Sequence, residues 1–127
     1  VANRVQWQPH FSVSDPAMDA QHRAAIDTCN TLADCLDTGD EPRFDAVFKQ
    51  LMALAREHFA AEEALLLSRG YSEIEDYRSE REEFAYLADE IITTENFDRQ
   101  ELQSFLALWW SGHIVGAARG QRAFFEK

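Results

Sequence analysis

The chain has 127 residues, enough for one compact domain with its own core and too few for two ordinary ones. Hydrophobic residues make up 46% and charged residues 28%, and the longest apolar run, Phe105 to Trp110, falls far short of the ~20 residues that span a bilayer, which excludes membrane insertion. A net charge of -11, with the basic residues scattered among acidic ones, repels phosphate backbones and excludes nucleic acid as a partner.

No basic start followed by an apolar stretch and a small-residue cleavage site is visible, and the chain opens on Val1, so it is expected to be trimmed or excised from a larger protein. Cys29 and Cys35 lie in one predicted helix, about 240° apart around its axis, and cannot readily bond to each other. Free thiols and the absence of a secretion signal point to a cytoplasmic location.

In chain order, an arm over residues 1–15 alternates only loosely and is expected to pack as coil across a bundle formed by residues 16–127. After Asp15-Pro16 the first helix places His22, Ile26, Cys29, Leu32, Ala33 and Leu36 at three- and four-residue steps on one face. It breaks at Thr38-Gly39-Asp40-Glu41-Pro42. The second helix starts near Pro42 and carries Phe44, Val47, Phe48, Leu51, Leu54, His58, Glu62 and Leu65 to a stop at Gly70. Ser72 and Glu75 have capping-box spacing for a third helix whose inward positions are Ile74, Tyr77, Arg81, Phe84, Ala88 and Ile91. After a break over Thr93 to Phe97, the pair Asp98 and Glu101 opens a fourth, with Leu102, Phe105, Trp109, His113 and Gly116 inward. Short connections favour antiparallel neighbours, so the expected fold is all-α, an up-down-up-down four-helix bundle with an extended N-terminal arm. The acidic run Glu73, Glu75, Asp76, Glu80, Glu82, Glu83 reads as a solvated helix face.

His22, His58, Glu62 and His113 fall on the inward stripes of three helices, and His58 and Glu62, four apart, stack about 6 Å from each other on one face. Bundles build metal sites in this way. Imidazole with carboxylate suits iron, manganese or zinc, and iron is the first choice.

Longer stretches carry a family resemblance. Trp7, Phe11-Ser12-Val13 and Met18-Asp19-Ala20-Gln21-His22 resemble the opening of the bacterial hemerythrins, and His58-Phe59-Ala60-Ala61-Glu62-Glu63 is similar to their His-Phe-x-x-Glu-Glu segment. Trp109-Trp110-Ser111-Gly112-His113-Ile114 is similar to their closing His-Ile-x-x-x-Asp motif. The resemblance spans nearly the whole chain and implies that His22 and His58 are iron ligands, that Glu62 bridges two irons, and that His113 holds the second. It also implies two histidines where this chain has Tyr77 and Arg81, and a bridging aspartate where it has Ala118.

Three of seven ligands are thus replaced, which predicts a depleted centre: non-haem iron, mononuclear or an incomplete di-iron site, held by His22, His58, Glu62 and His113, with Tyr77 as a further candidate ligand through its phenolate. The resemblance implies oxygen, nitric oxide or redox state as the ligand or signal, and a non-enzymatic sensory module beside a fused or partner signalling domain. The alternative is a metal-free scaffold serving as a sensory or interaction domain, in which Arg81 forms a buried ion pair with Glu62. An iron-dependent oxidase or peroxidase, and haem held by two of the histidines, stay open on the residues alone.

Overall fold

The computed structural model describes residues 2–126. Four long helices, α1 (Pro16–Thr38), α2 (Glu41–Ser68), α3 (Ile74–Thr93) and α4 (Arg99–Gly120), form the bundle, followed by one further turn, α5 (Arg122–Phe125). The links are short, residues 39–40, 69–73 and 94–98, so consecutive helices run antiparallel. α1 packs most extensively, against both α2 and α4, and α3 closes the ring between α2 and α4 more loosely.

Local chemistry sets most of the boundaries. Asp15 accepts a hydrogen bond from the Met18 amide with Pro16 in the first turn, and Gly39, at φ 70°, closes α1 in the left-handed conformation that glycine adopts without strain. Asp40 caps α2 through the Arg43 amide, and Asp98 caps α4 through those of Gln100 and Glu101. The capping box expected at Ser72 and Glu75 does not form. Glu73 is the N-cap and offers no side-chain bond, because Ile74 packs against the apolar cluster at that end of the bundle and starts the helix one residue late for Ser72. Glu75 pairs with Arg78 instead.

The buried face of α4 also differs from the expected stripe. Leu102, Leu106, Trp110, His113 and Ala117 are buried, whereas Phe105 and Trp109 are half-buried and Gly116 is exposed. The face is turned by about one residue because α4 packs more closely on α1 than on α3, which leaves Phe105 and Trp109 to flank Phe84 of α3.

Two of the three apolar clusters of the core lie one after the other along the bundle axis. One runs through Cys29, Leu32, Phe44, Leu51, Leu106 and Trp110; the other contains Val13, Met18, Leu66, Tyr77, Ala118 and Phe125. Cys29 and Cys35 are both buried free thiols, and burial pushes the Cys29 thiol up to about 12. In each of α1, α2 and α4 the sequence between the two clusters is interrupted by buried polar residues: His22, the pair His58 and Glu62, and His113.

The arm is coil apart from a 3-10 turn at Pro9–Phe11, and it is fastened by side-chain amides. Gln103 accepts from the Asn3 amide and donates to its carbonyl, and Asn30 does the same for Val5, so two carboxamides act as strand partners for an otherwise unpaired backbone. Arg122 donates to the carbonyls of His10 and Ser12, and Phe11 packs on Ile26 and Ile114. The arm therefore seals the seam between α1 and α4. No helix is long and apolar enough to cross a membrane among the described residues.

Candidate metal centre

His22 from α1, His58 and Glu62 one turn apart on α2, and His113 from α4 converge in the polar layer, at 0%, 1%, 0% and 5% exposure respectively. One ligand atom from each lies within 4.8 Å of all the others. Such closeness suits one ion: with bonds of about 2.0–2.2 Å, ligands on opposite sides of a metal stand about 4 Å apart.

The carboxylate of Glu62 is the hub. His22 Nε2 and His58 Nε2 are each 3.2 Å from its Oε2, and His113 Nε2 is 3.1 Å from its Oε1. Only the His22 contact is aligned as a hydrogen bond. His58 Nε2, His113 Nε2 and Glu62 Oε1 are buried with no hydrogen-bond partner, and so is His22 Nδ1. An unsatisfied buried polar atom costs about 1–3 kcal/mol. Three of them grouped around one point make a donor set that a cation would satisfy.

The far sides of two rings are held as metal-ligating imidazoles require. His58 Nδ1 donates to Gln21 Oε1 at 2.7 Å and His113 Nδ1 donates to Glu80 Oε1 at 3.1 Å, which turns each Nε2 inward toward Glu62. Phe59, Trp109 and Trp110 pack around these rings, with Trp109 stacked on His113 at 5.0 Å and 9°. Gln21 and Glu80 were not legible as site residues: Gln21 only precedes His22, and Glu80 lies in an acidic run that looks uniformly solvated.

Electrostatics show how the site balances its one carboxylate. Burial disfavours the Glu62 carboxylate, yet His113 first, and then the close contacts of all three imidazoles, outweigh it and hold Glu62 well below the usual range. Burial likewise opposes a charged His113, but Glu62, followed by Glu80, raises it to about 9. At His22 burial prevails and lowers the ring. The layer therefore holds one carboxylate, matched in the metal-free protein by the proton on His113, whose place a bound cation would take. Three nitrogens and a carboxylate fit iron, manganese or zinc.

The positions that resemble replaced ligands behave differently from one another. Tyr77 is 4% exposed, its hydroxyl donates to the Phe59 carbonyl at 3.2 Å, and burial, followed by the nearby Glu62 carboxylate, drives its pKa strongly upward. It is a neutral phenol at the edge of the polar layer. Ala118 is buried beside it in the apolar cluster with Val13, Met18 and Leu66. Arg81 does not pair with Glu62. Its guanidinium reaches Glu63 at 3.4 Å, about a third exposed, because Glu62 is already matched by His113 and a second buried cation would lose its hydration. The buried Glu62–Arg81 ion pair of the metal-free alternative is thereby corrected.

An all-α bundle whose core is interrupted by a converging His3Glu set defines a helical bundle with a buried group able to hold a metal ion. The family model for the hemerythrin HHE cation binding domain matches residues 14–116, and the chain belongs to that family. No curated protein and no solved structure gives a significant match.

Proposed function

We propose that this domain holds a single non-haem iron ion through His22, His58, Glu62 and His113 and uses it, without catalysis, to bind a diatomic ligand such as O2 or NO. The observation that carries this reading is the fate of the remaining family positions: Tyr77 and Ala118 belong to an apolar cluster and Arg81 turns outward, so three ligands that a second ion would need are missing. A bound iron with fewer protein ligands than it can accept supplies open positions for a small molecule and a reversible change of oxidation state.

The residues of the chain have separable tasks in this reading. Gln21 and Glu80 orient the rings of His58 and His113. Glu62 supplies the negative charge, and Tyr77, near it, is a further side chain that could donate to or ligate what the centre holds. Phe59, Trp110 and the N-terminal arm keep water away, which strengthens every electrostatic contact inside. A cytoplasmic sensory module passing its state to a fused or partner signalling domain is the role that fits such a site best.

A second reading, a metal-free scaffold, draws support from the 3.1 Å contact of His113 with Glu62, which can neutralise the carboxylate without a metal. Anaerobic reconstitution with ferrous iron, followed by titration with NO monitored by absorbance, separates the two. Saturation at one NO per iron, abolished in His58→Ala, is expected. A chain that takes up iron but no diatomic ligand overturns the sensory role, and one that takes up no iron leaves the scaffold.

A further inference from the structure

The loose packing of α3 leaves a cleft of about 470 Å³ between it and α2, within the size range of small-molecule pockets. Small side chains create it: Ala55 and Ala60 on one helix, Ala85 and Ala88 on the other. Its floor and walls are apolar, built from Phe48, Met52, Phe59, Phe84 and Ile92, and its rim carries two arginines, Arg56 from α2 and Arg81 from α3.

Those arginines are unusual in a chain of net charge -11 with only 12 basic residues. Among the described residues Arg56 has no ion pair or hydrogen bond, although most of the other arginines are engaged. Arg81 has only the 3.4 Å contact with Glu63 Oε1, an oxygen that Arg78 already occupies at 2.9 Å. Both guanidiniums thus keep donors to offer. Because α2 and α3 run antiparallel, Arg81 and Phe59 mark one end of the cleft and Phe48 and Ile92 the other, with Arg56 between. Open guanidinium donors toward one end of the rim, Arg81 and then Arg56, and an apolar trough beyond them match an amphiphile with an anionic head.

We propose that the α2–α3 cleft is a binding site for a small amphipathic carboxylate, a medium-chain fatty acid or an aromatic acid of similar length, with its head on Arg56 and Arg81 and its tail along Met52, Phe48 and Ile92. The site is distinct from the metal layer and does not depend on it. Phe59 forms the wall between the two, its ring 5.8 Å from that of His113 and stacked on Trp110 at 5.5 Å, so occupancy of the cleft is felt at the centre and reported by tryptophan. Glu82 and Asp89 stand on the same rim, which makes a cationic amphiphile the discriminating control.

The test titrates metal-free protein with decanoate, decanol and decylammonium, following tryptophan fluorescence and calorimetric heat. Decanoate should saturate at one per chain and bind roughly tenfold more tightly than either of the others, the scale of one charge-assisted contact. Arg56→Glu with Arg81→Glu should remove that preference while leaving decanol unchanged, and Ala88→Trp, checked for native helicity, should abolish binding by filling the trough. Equal affinity for all three head groups, tighter binding of decylammonium, or no saturable binding overturns the proposal. So does a dimer, seen by sedimentation, that buries the cleft against a second copy.

Discussion

Replacing Glu62 by Gln keeps the shape of the side chain and removes the charge around which three imidazoles are grouped. In the metal-free protein the raised His113 pKa means that the folded state holds a proton that the unfolded state has released. The resulting stabilisation is present in full below the ordinary value of 6.5 and is lost as the pH rises through about 9. At about 1.4 kcal/mol per pKa unit, a rise from 6.5 to about 9 corresponds to about 3 kcal/mol. Glu62, held low, contributes the opposite limb, present above its ordinary 4.5 and lost in acid. In Glu62→Gln, burial of His113 is opposed only by the half-exposed Glu80, so the ring loses most of its reason to be charged. Urea unfolding in the presence of a chelator, repeated from below 6.5 to above 9, should therefore show the variant weaker by about 3 kcal/mol in the acidic part of that window and nearly pH-independent across it. A loss under about 1 kcal/mol, or an alkaline limb as steep as that of the parent, would refute the reasoning.

Three further outcomes follow from the same geometry. Arg81→Ala should change stability by less than about 1 kcal/mol, because its partner Glu63 lies near the surface; a loss of about 3–5 kcal/mol in thermal or chemical unfolding would restore a buried pair with Glu62. Tyr77→Phe should cost about 1 kcal/mol for the lost bond to the Phe59 carbonyl, and ferric-loaded parent protein should lose any visible phenolate band in this variant if Tyr77 ligates; a band that persists excludes it. The triple substitution Tyr77→His, Arg81→His, Ala118→Asp restores the family's residue types at all three replaced positions, and elemental analysis should then find about two metal ions per chain; a value unchanged from the parent would show that the neighbouring apolar cluster also prevents a second ion.

The bundle was legible because its punctuation is local. Asp15-Pro16, Gly39, Asp40, Gly70 and Asp98 act through their own backbone neighbourhoods, and the structure places the helix ends at or beside them. That His22, His58, Glu62 and His113 are buried together was legible for a related reason: a histidine or glutamate on an otherwise apolar stripe stands out at helical spacing. What depended on packing between helices was harder to read. The α4 face is turned because α1 is its closer neighbour, and no periodicity within α4 records that. The Ser72 cap was displaced by the burial of Ile74, α5 has too few residues to show a period, and Arg81 chose Glu63 over Glu62 through a desolvation cost that spacing does not contain. Gln21 and Glu80 act on the rings from outside the stripe, where a polar residue draws no notice.

The central claim, one metal ion held by His22, His58, Glu62 and His113, is tested most directly by elemental analysis of protein reconstituted anaerobically with ferrous iron, in parallel with His58→Ala. About one iron per chain in the parent and none in the variant is the result expected; no iron in the parent, two per chain, or iron retained in the variant would contradict it.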